Sequence, residues 1–374
     1  MAGLYVHIPF CKSRCIYCEF YSTTREAEKE AYVAALCREI AARKNEFSHT
    51  RVHTIYIGGG TPSLLSAEQL NRIISKLHEE YDVTEDAEVT VEMNPEDVRR
   101  MKNEKVKSEK WRANRVSLGI QTFDEELLRL LHRRHTAQTA VRAVKELQDA
   151  GVDNISIDLI YGLPGQTMEL WESDLDTAFS LGVQHLSAYA LSYEEGTPLW
   201  RMRQQGAVKE AAEGLSVKMF ERLCQRAKEA GFLHYEISNF AQPGRESRHN
   251  SSYWTGEPYL GFGPGAHSYD GRRTRRANHP DLSAYLQAEV TPATFETLTD
   301  EELFDEAVMC GLRTARGIDL NEVERRFGQQ RSDYLLQMAH PHIRAGRLVV
   351  EEGRLHLSES ALMVSDDIMS DLML

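Results

Sequence analysis

The chain has 374 residues, with 44 Lys and Arg against 57 Asp and Glu, which gives a formal net charge of -13 at pH 7. That balance argues against a protein that grips nucleic acid through its phosphate groups. No run approaches the roughly 18 apolar residues typical of a transmembrane helix, and the apolar start of the chain is too short for a signal peptide. We therefore expect a cytoplasmic protein that does not bind nucleic acid.

Short runs rich in Val, Ile, Leu and Tyr alternate with amphipathic stretches in the first half of the chain. The predicted strands are Gly3–Ile8, Val52–Ile57, Glu88–Met93, Arg115–Ile120, Asn154–Ile160 and His185–Leu191. The predicted helices are Ala27–Arg43, Ser66–Tyr81, Asp124–Leu131, Thr136–Ala150 and Met168–Leu181. This alternation predicts a parallel sheet with right-handed crossovers. Because about eight such units close a barrel, we predict an α/β fold with an open, partial (β/α)6 barrel over residues 1–200.

The pattern changes after residue 200. Between 201 and 290 we predict a flanking extension with a long helix, Lys209–Ala230, a short strand, His234–Asn239, and a loop-rich stretch, Gly244–Arg276. From 291 to 374 we predict a smaller α+β domain of winged-helix type, with helices near Glu301–Thr314, Asp319–Phe327 and Ser332–Ala345 and a hairpin around Glu351–Gly353. The acidic wing and tail favour a structural or lid role over DNA binding. The basic residues of Arg99–Arg112 are interpreted as a solvated helix face.

Six cysteines occur, and three of them, Cys11, Cys15 and Cys18, fall within eight residues after the first predicted strand. Thiolates suit zinc or an iron–sulfur cluster. A structural zinc site usually has four ligands, and no fourth Cys or paired His follows at zinc-finger distance. Three ligands leave one iron of a four-iron cube open, so we predict a [4Fe-4S] cluster there. The other three, Cys37, Cys224 and Cys310, lie among apolar residues and are predicted to be buried core thiols.

The C-x3-C-x2-C spacing directly after the first strand resembles the signature of the radical S-adenosylmethionine (radical SAM) superfamily. Seven blocks in order resemble its coproporphyrinogen-oxidase-like branch: YVHIPFCKSRCIYCEFYS, GGGTPSLL, VEMNPE, RVSLGIQTFDEELLRLLHRRH, DLIYGLPGQT, HYEISNFA and GFGPGAHSY. The resemblance implies that the open iron holds S-adenosylmethionine. It also implies that the reduced cluster passes one electron to the sulfonium, giving methionine and a 5′-deoxyadenosyl radical. A flavodoxin or ferredoxin is the implied electron donor.

Several residues that follow predicted strands could hold S-adenosylmethionine. Glycines let a backbone approach a ligand closely, and by resemblance the loop with Gly59, Gly60 and Thr61 would hold the amino group. Carboxylates and amides at strand ends can hydrogen-bond amines or ribose hydroxyls. The resemblance assigns to this pocket Glu92, Gln121, Asp158, Arg133, Tyr5, Tyr17 and Ala190. A tight turn, a salt bridge or a helix cap is the alternative for any one of them.

Two members of this branch compete as functional models: an oxygen-independent coproporphyrinogen III oxidase and a heme chaperone that passes heme to an acceptor. The oxidase pattern has a further Cys two residues after the motif, where this chain has Phe20. The oxidase also has an arm before its first strand, whereas two residues precede Gly3 here. Residues 249–254 reproduce the H-N-x-x-Y-W motif associated with heme binding in the chaperone. The resemblance therefore favours a chaperone that retains S-adenosylmethionine cleavage, with heme and a heme-accepting protein, including a membrane-associated one, as partners.

The H-N-x-x-Y-W motif supplies suitable groups for heme. Imidazole is a good axial ligand of heme iron, so His249 is the candidate ligand and His267 a second one. Tyr253 and Trp254 could pack on the porphyrin face. A structural role for His249 is the alternative. A third functional class also stays open, a radical SAM enzyme of another substrate with the C-terminal unit as its lid.

Overall fold

The computed structural model describes residues 2–47, 50–103 and 113–374, with the side chains of 101–103 left out. All six predicted strands are present and parallel to their neighbours. They are β1 (Ala2–Ile8), β2 (Val52–Gly59), β3 (Val83–Met93), β4 (Arg115–Gln121), β5 (Ile155–Tyr161) and β6 (His185–Ala190). They pair in sequence order, β1 to β6. Both faces of these strands are largely buried, which is why they read as nearly continuous apolar runs.

The crossover helices confirm the predicted alternation. They are α1 (Lys29–Ala42), α2 (Ala67–Glu80), α3 (Pro95–Asn103), α4 (Glu125–Leu130), α5 (Ala137–Asp149) and α6 (Met168–Ser180). Ser66 and Gln69 form a capping box at the start of α2. Gly151 follows α5 with φ +84°, in the left-handed conformation that commonly ends a helix. Residues 104–112 of the basic stretch Arg99–Arg112 lie outside the described residues, so its interpretation stays a prediction.

Residues after 190 extend this sheet at both edges. The next elements are α7 (Pro198–Gln204), α8 (Glu213–Glu229), β7 (Leu233–Glu236), β8 (Asn239–Ala241), α9 (Arg248–Trp254), β9 (Tyr259–Phe262), β10 (His267–Tyr269), β11 (Thr274–Asn278), α10 (Leu282–Gln287) and β12 (Ala293–Thr297). The sheet runs β12-β11-β10-β9-β1-β2-β3-β4-β5-β6-β8-β7, so it is open. Strand β9 is parallel to β1, and the strands outside β9 and β6 are antiparallel.

One expectation in this region was wrong and another was incomplete. The stretch Gly244–Arg276 contains several loops, as expected, but it also holds α9, β9, β10 and the start of β11. Strands this short carry too little alternation to be recognised from sequence. The single strand expected at His234–Asn239 is two antiparallel strands, β7 and β8, joined by a tight turn.

The C-terminal unit has the element order expected for a winged-helix-like domain. It contains α11 (Asp300–Leu312), β13 (Ile318–Asp319), α12 (Leu320–Phe327), α13 (Gln329–Arg344), β14 (Leu348–Glu351), β15 (Arg354–Leu357) and α14 (Ser365–Leu372). Strand β15 pairs with both β13 and β14, so the predicted hairpin is confirmed. Its apolar core is separate from the core between the main sheet and its helices. The domain boundaries at 200 and 290 stay predictions.

The two cores are joined where the β7–β8 turn meets the end of α11. Ile237 donates its backbone N–H to Arg313, and Ala315 donates to Tyr235. The cysteines predicted to be buried core thiols, Cys37, Cys224 and Cys310, are half-buried, and Cys37 and Cys224 pack against the main core. Within the described ranges, no helix combines the length and apolar character needed to cross a membrane.

Candidate functional site

A cavity of about 490 Å³ opens at the carboxyl ends of β1 to β6. Residues from all six strands or the loops that follow them line it, as expected for ligand sites of parallel α/β sheets. The predicted site residues on its wall are Cys11, Cys15, Tyr17, Cys18, Gly59, Gly60, Thr61, Glu92, Gln121, Arg133, Asp158 and Ala190. The structure therefore brings together twelve residues that are spread over 180 positions of the sequence.

The three thiols of the motif are free and half-buried on this wall. Thr61 donates its hydroxyl to Cys11 Sγ at 3.6 Å, and Arg133 Nη1 donates to Cys15 Sγ at 3.4 Å. Burial raises the pKa of Cys11, and it raises that of Cys18 to about 11. Iron binds the thiolate, so loading a cluster here releases protons. The thiols share one cavity, but in the part of the chain that is described no three His, Cys, Asp or Glu side chains are grouped to hold a single ion.

Two glycines make the close packing of the cysteine loop possible. A Cβ on Gly60 would lie 2.7 Å from the carbonyl oxygen of Phe10 and 3.0 Å from Cys11 Sγ. Gly59 has φ +105°, and a Cβ there would lie 2.6 Å from His7 Nδ1. A side chain at Gly60 would fill the space between the β2 loop and the cysteine loop, and one at Gly59 would collide with His7 of β1 just before that loop.

Two buried carboxyl groups face the same cavity. Glu92 accepts hydrogen bonds from the Tyr56 hydroxyl at 2.7 Å and from the Gly59 N–H at 3.1 Å, and Asp158 accepts one from Ser117 at 3.3 Å. Burial raises the pKa of Glu92 to about 7 and that of Asp158 to about 6. Such carboxyl groups gain most from a cationic or hydroxyl-bearing ligand, because it compensates for the lost hydration.

Gln121 and Arg133 form the next part of the wall. Gln121 has φ +74°, and the pairing of β4 with β5 is irregular between Gly119 and Gln121. A left-handed conformation in a non-glycine residue is costly and often marks a functional position. Arg133 Nη2 donates to Asn94 Oδ1 at 2.7 Å and to the carbonyl of Gly119. Its Nε is buried without a hydrogen-bond partner, which leaves one donor available to a ligand.

This wall fits the two cofactors implied by the sequence. Three thiols suit an iron–sulfur cluster, and the glycine cradle, the buried carboxyl groups and the unpartnered Arg133 donor suit a charged amino acid moiety. Tyr5 alone of the predicted set does not line the cavity. It lies behind the wall, where its ring stacks on Tyr56 with centroids 6.2 Å apart and its hydroxyl is 3.0 Å from His7 Nδ1.

Sequence reasoning missed four contributors. Asn94, which joins Thr61 to Arg133, lies inside the VEMNPE block and could have been found there. Ser117 and Tyr56 support the carboxyl groups from strand interiors, where alternation gives no sign of a role. Arg115 is 2% exposed, and its charge lowers the pKa of both Glu92 and Asp158. A single Arg at a strand start carries no such signal.

The H-N-x-x-Y-W motif lies on α9, which packs against β1 and β2. His249 is fully buried, with Nδ1 2.8 Å from Thr54 Oγ1 and Nε2 2.9 Å from the Tyr253 hydroxyl. Burial lowers the pKa of His249 to about 3, so the imidazole is neutral. Iron ligation by His249 would require one of these hydrogen bonds to open, and that assignment stays a prediction.

Tyr253 and Trp254, at the end of the same helix, line a second cavity of about 650 Å³. His267, the second candidate ligand, is exposed on β10 and lines neither cavity. The motif thus forms one helix. Its histidine is buried between Thr54 and Tyr253, whereas Tyr253 and Trp254 line the second cavity and His249 does not.

Comparisons with known proteins agree with this fold and site. The family model "Radical SAM superfamily" matches residues 5–178, and the model "HemN C-terminal domain" matches residues 298–364. The "Heme chaperone HemW" of Lactococcus lactis is 34% identical over 99% of this chain and 97% of its own length. The protein of the same name from Bacillus subtilis is 34% identical over 98% of this chain and 95% of its own.

Among solved structures, coproporphyrinogen III oxidase (HemN) of Escherichia coli has a TM-score of 0.83 at 23% identity, covering 100% of this chain and 90% of that one. That likeness concerns the fold. The cavity, its thiols and the sheet are those of a radical SAM protein with a HemN-like architecture. The chain belongs to the radical SAM superfamily and, within it, to the family of the HemW proteins. Its cofactors as a radical SAM protein are a [4Fe-4S] cluster and S-adenosylmethionine.

Proposed function

We propose that this protein is a heme chaperone that binds a [4Fe-4S] cluster, S-adenosylmethionine and heme and transfers the heme to an acceptor protein. The observation that carries this proposal is the 34% identity to HemW proteins along 99% of the chain. The H-N-x-x-Y-W motif, folded into α9 beside a cavity of suitable size, supports it.

We assign the cluster to Cys11, Cys15 and Cys18. The remaining residues of the cavity would hold S-adenosylmethionine: Tyr17, Gly59, Gly60, Thr61, Glu92, Gln121, Arg133, Asp158 and Ala190, with Tyr5 behind them. A bound, reduced cluster supplies the single electron that breaks a carbon–sulfur bond of S-adenosylmethionine. The chain's own residues orient the cofactor: Glu92 and Asp158 by accepting hydrogen bonds, Arg133 by donating them. A flavodoxin or ferredoxin would provide the electron.

The S-adenosylmethionine cavity and the heme motif are joined by a short series of contacts. Glu92, on the first cavity, accepts from the Tyr56 hydroxyl at 2.7 Å. The Tyr56 ring stacks on His249 with centroids 5.1 Å apart, and His249 bonds Tyr253 on the second cavity. A continuous series of packed, hydrogen-bonded side chains therefore connects the walls of the two cavities.

The oxidase alternative is separated from the chaperone by its reaction. Phe20, which stands where the oxidase pattern has a further Cys, is 60% exposed at the rim of the cluster cavity. The phenyl ring of Phe20 cannot contribute a thiolate there. We expect no conversion of coproporphyrinogen III to protoporphyrinogen by the reconstituted protein.

The experiment is heme titration of the anaerobically reconstituted protein, followed by absorbance, and then mixing of the loaded protein with an apo-hemoprotein. We expect saturable, roughly stoichiometric uptake and transfer of heme. His249→Ala should weaken uptake, and His267→Ala, at an exposed position outside both cavities, is the matched control. A wild type that takes up no heme contradicts the chaperone function, and porphyrinogen turnover would assign the oxidase instead.

A further inference from the structure

The second cavity lies between the strand extension of the main sheet and the C-terminal unit. Helix α9 and strands β9, β10 and β11 form one side, and helices α11 and α12 with β13 form the other. Its volume of about 650 Å³ falls within the range of roughly 300–1,000 Å³ typical of sites for organic ligands. We propose that this cavity is the heme site, with Cys310 as an axial ligand and Arg316 and Arg326 as partners of the propionates. This inference rests on the proposed chaperone function.

One wall of the cavity is aromatic. It consists of Tyr253, Trp254, Tyr259 and Tyr269, and Phe327 of α12 adds an aromatic ring on the other side. Tyr253 and Tyr259 meet edge to face with centroids 4.7 Å apart, so their rings hold each other in place. Trp254 Nε1 is buried without a hydrogen-bond partner. Rigid aromatic surface of this kind binds a flat, apolar macrocycle at little cost in side-chain entropy.

A cysteine thiol that can bind iron lies on the opposite wall. Cys310 lies on α11, is half-buried and lines the cavity. Unlike Cys37 and Cys224, which pack against the main core, Cys310 is in none of the apolar clusters. A Cys thiolate is an established type of axial heme ligand. The thiol of Cys310 is therefore available to heme iron, whereas both ring nitrogens of His249 are engaged in hydrogen bonds.

The charges around the cavity leave two guanidinium groups for an anionic ligand. Four arginines and four carboxylates line it: Arg275, Arg316, Arg326, Arg354, Glu257, Glu306, Asp319 and Glu322. Arg275 pairs with Glu306 at 2.7 Å, Arg354 pairs with Asp319 at 2.9 Å, and Glu322 pairs with Arg325 outside the cavity. Glu257 also interacts with a neighbouring group.

Arg316 and Arg326 are exposed and form no ion pair with a carboxylate in the described part of the chain. Heme carries two propionates, and guanidinium groups bind carboxylates with paired, charge-assisted hydrogen bonds. Two unpaired arginines beside an aromatic wall match a ligand that is apolar over its ring and anionic along one edge.

His249 acts in this arrangement as a positioning residue. Its Nε2 holds the hydroxyl of Tyr253, and its Nδ1 is tied to Thr54 on β2. Loss of His249 would let the Tyr253 ring move, and heme affinity would fall without any change of the iron ligand. Tyr253→Phe, which removes the same hydrogen bond and keeps the ring, should therefore weaken binding less than His249→Ala.

The test uses the full chain, titrated with hemin and with the dimethyl ester of hemin, in which the propionates are blocked. Arg316→Glu/Arg326→Glu should weaken hemin binding about tenfold or more, and the ester should bind both proteins alike. Arg344→Glu/Arg347→Glu is the matched control, because these exposed arginines of the same unit do not line the cavity. Cys310→Ser should shift the Soret band and the electron paramagnetic resonance spectrum of the ferric complex, while Cys37→Ser leaves both unchanged.

The outcomes separate the two proposals. If the wild type binds heme but neither affinity nor spectra respond to these variants, the cavity is not the heme site and the chaperone function stands. Loss of an imidazole signature in His249→Ala would place the iron at His249 and overturn the role of Cys310. If the wild type binds no heme at all, both the site and the function are wrong.

Discussion

His249 Nε2 lies 2.9 Å from the hydroxyl of Tyr253, one helical turn along α9, and the imidazole has no free nitrogen because Nδ1 bonds Thr54. The histidine of the H-N-x-x-Y-W motif is thus a buried connector between β2 and the wall of the second cavity. This relationship explains how a residue can matter for heme binding without facing solvent.

The first prediction concerns this connector. His249→Ala should lower the free energy of unfolding by about 2–4 kcal/mol, because it leaves the buried hydroxyls of Thr54 and Tyr253 without their partner and opens a small void. Urea denaturation of the cofactor-free protein measures the change. His267→Ala, at an exposed position, should stay within about 0.5 kcal/mol of wild type. Equal midpoints for all three proteins would show that the hydrogen bonds contribute nothing to stability.

The second prediction concerns pH. The pKa of Glu92 is raised from 4.5 to about 7 and that of Asp158 from 3.8 to about 6. Since the charged forms are disfavoured in the fold, these two groups should destabilise the cofactor-free protein as the pH rises from about 4 to 7, whereas the lowered pKa of His249 acts in the opposite direction. The difference in denaturant midpoint between wild type and Glu92→Gln/Asp158→Asn isolates the carboxyl groups. It should shift in favour of the variant as the pH rises, and a difference that does not change with pH would contradict the prediction.

The same two carboxyl groups predict the pH dependence of S-adenosylmethionine binding. Affinity should increase from pH 5.5 to about 7.5 as Glu92 and Asp158 ionise and can accept hydrogen bonds from the ligand. Isothermal titration of the anaerobic cluster-loaded protein measures it. Glu92→Gln should bind more weakly at pH 7.5 and flatten the profile. A wild-type profile that is already flat would remove the carboxylates from the ligand's contacts.

A third change tests the glycine cradle. Gly60→Ala places a Cβ 2.7 Å from the Phe10 carbonyl and 3.0 Å from Cys11 Sγ, so the cysteine loop must shift. We expect a several-fold drop in iron and sulfide content after reconstitution. Gly214→Ala, in α8 with open space around the position, is the control and should retain full loading. Normal loading of Gly60→Ala would show that the loop adapts without cost.

The fourth change concerns Arg133, which joins Cys15, Asn94 and Gly119. Arg133→Lys keeps the charge but cannot span three acceptors, since an ammonium lacks the planar fork of a guanidinium. The variant should still load a cluster, and its Kd for S-adenosylmethionine should rise roughly tenfold or more. Arg129→Lys, at an exposed position of α4 that does not line the cavity, is the control. Unchanged affinity in Arg133→Lys would exclude a role of the fork in cofactor binding.

The helices and strands that are long enough to show a clear apolar pattern were predictable from the sequence. The six parallel strands and their helices follow from apolar runs and caps such as Ser66, whose physical origin is local, and the winged-helix order follows from the same signals. Most short strands after residue 230 were not recognised, because strands of three to five residues depend on pairing with neighbouring strands such as β1 and β6 rather than on their own sequence.

The sequence by itself predicted the residues of the first site, because the spacing of the cysteines and the motifs that resemble the radical SAM family are local properties of the chain. Only the tertiary structure decided which of these residues line the cavity. It placed Tyr5 and His249 behind the walls and brought Arg115 beneath the carboxyl groups. It also joined α9 to the C-terminal unit around a second cavity. Orientation and burial depend on contacts between segments far apart in sequence, and a linear pattern does not record them.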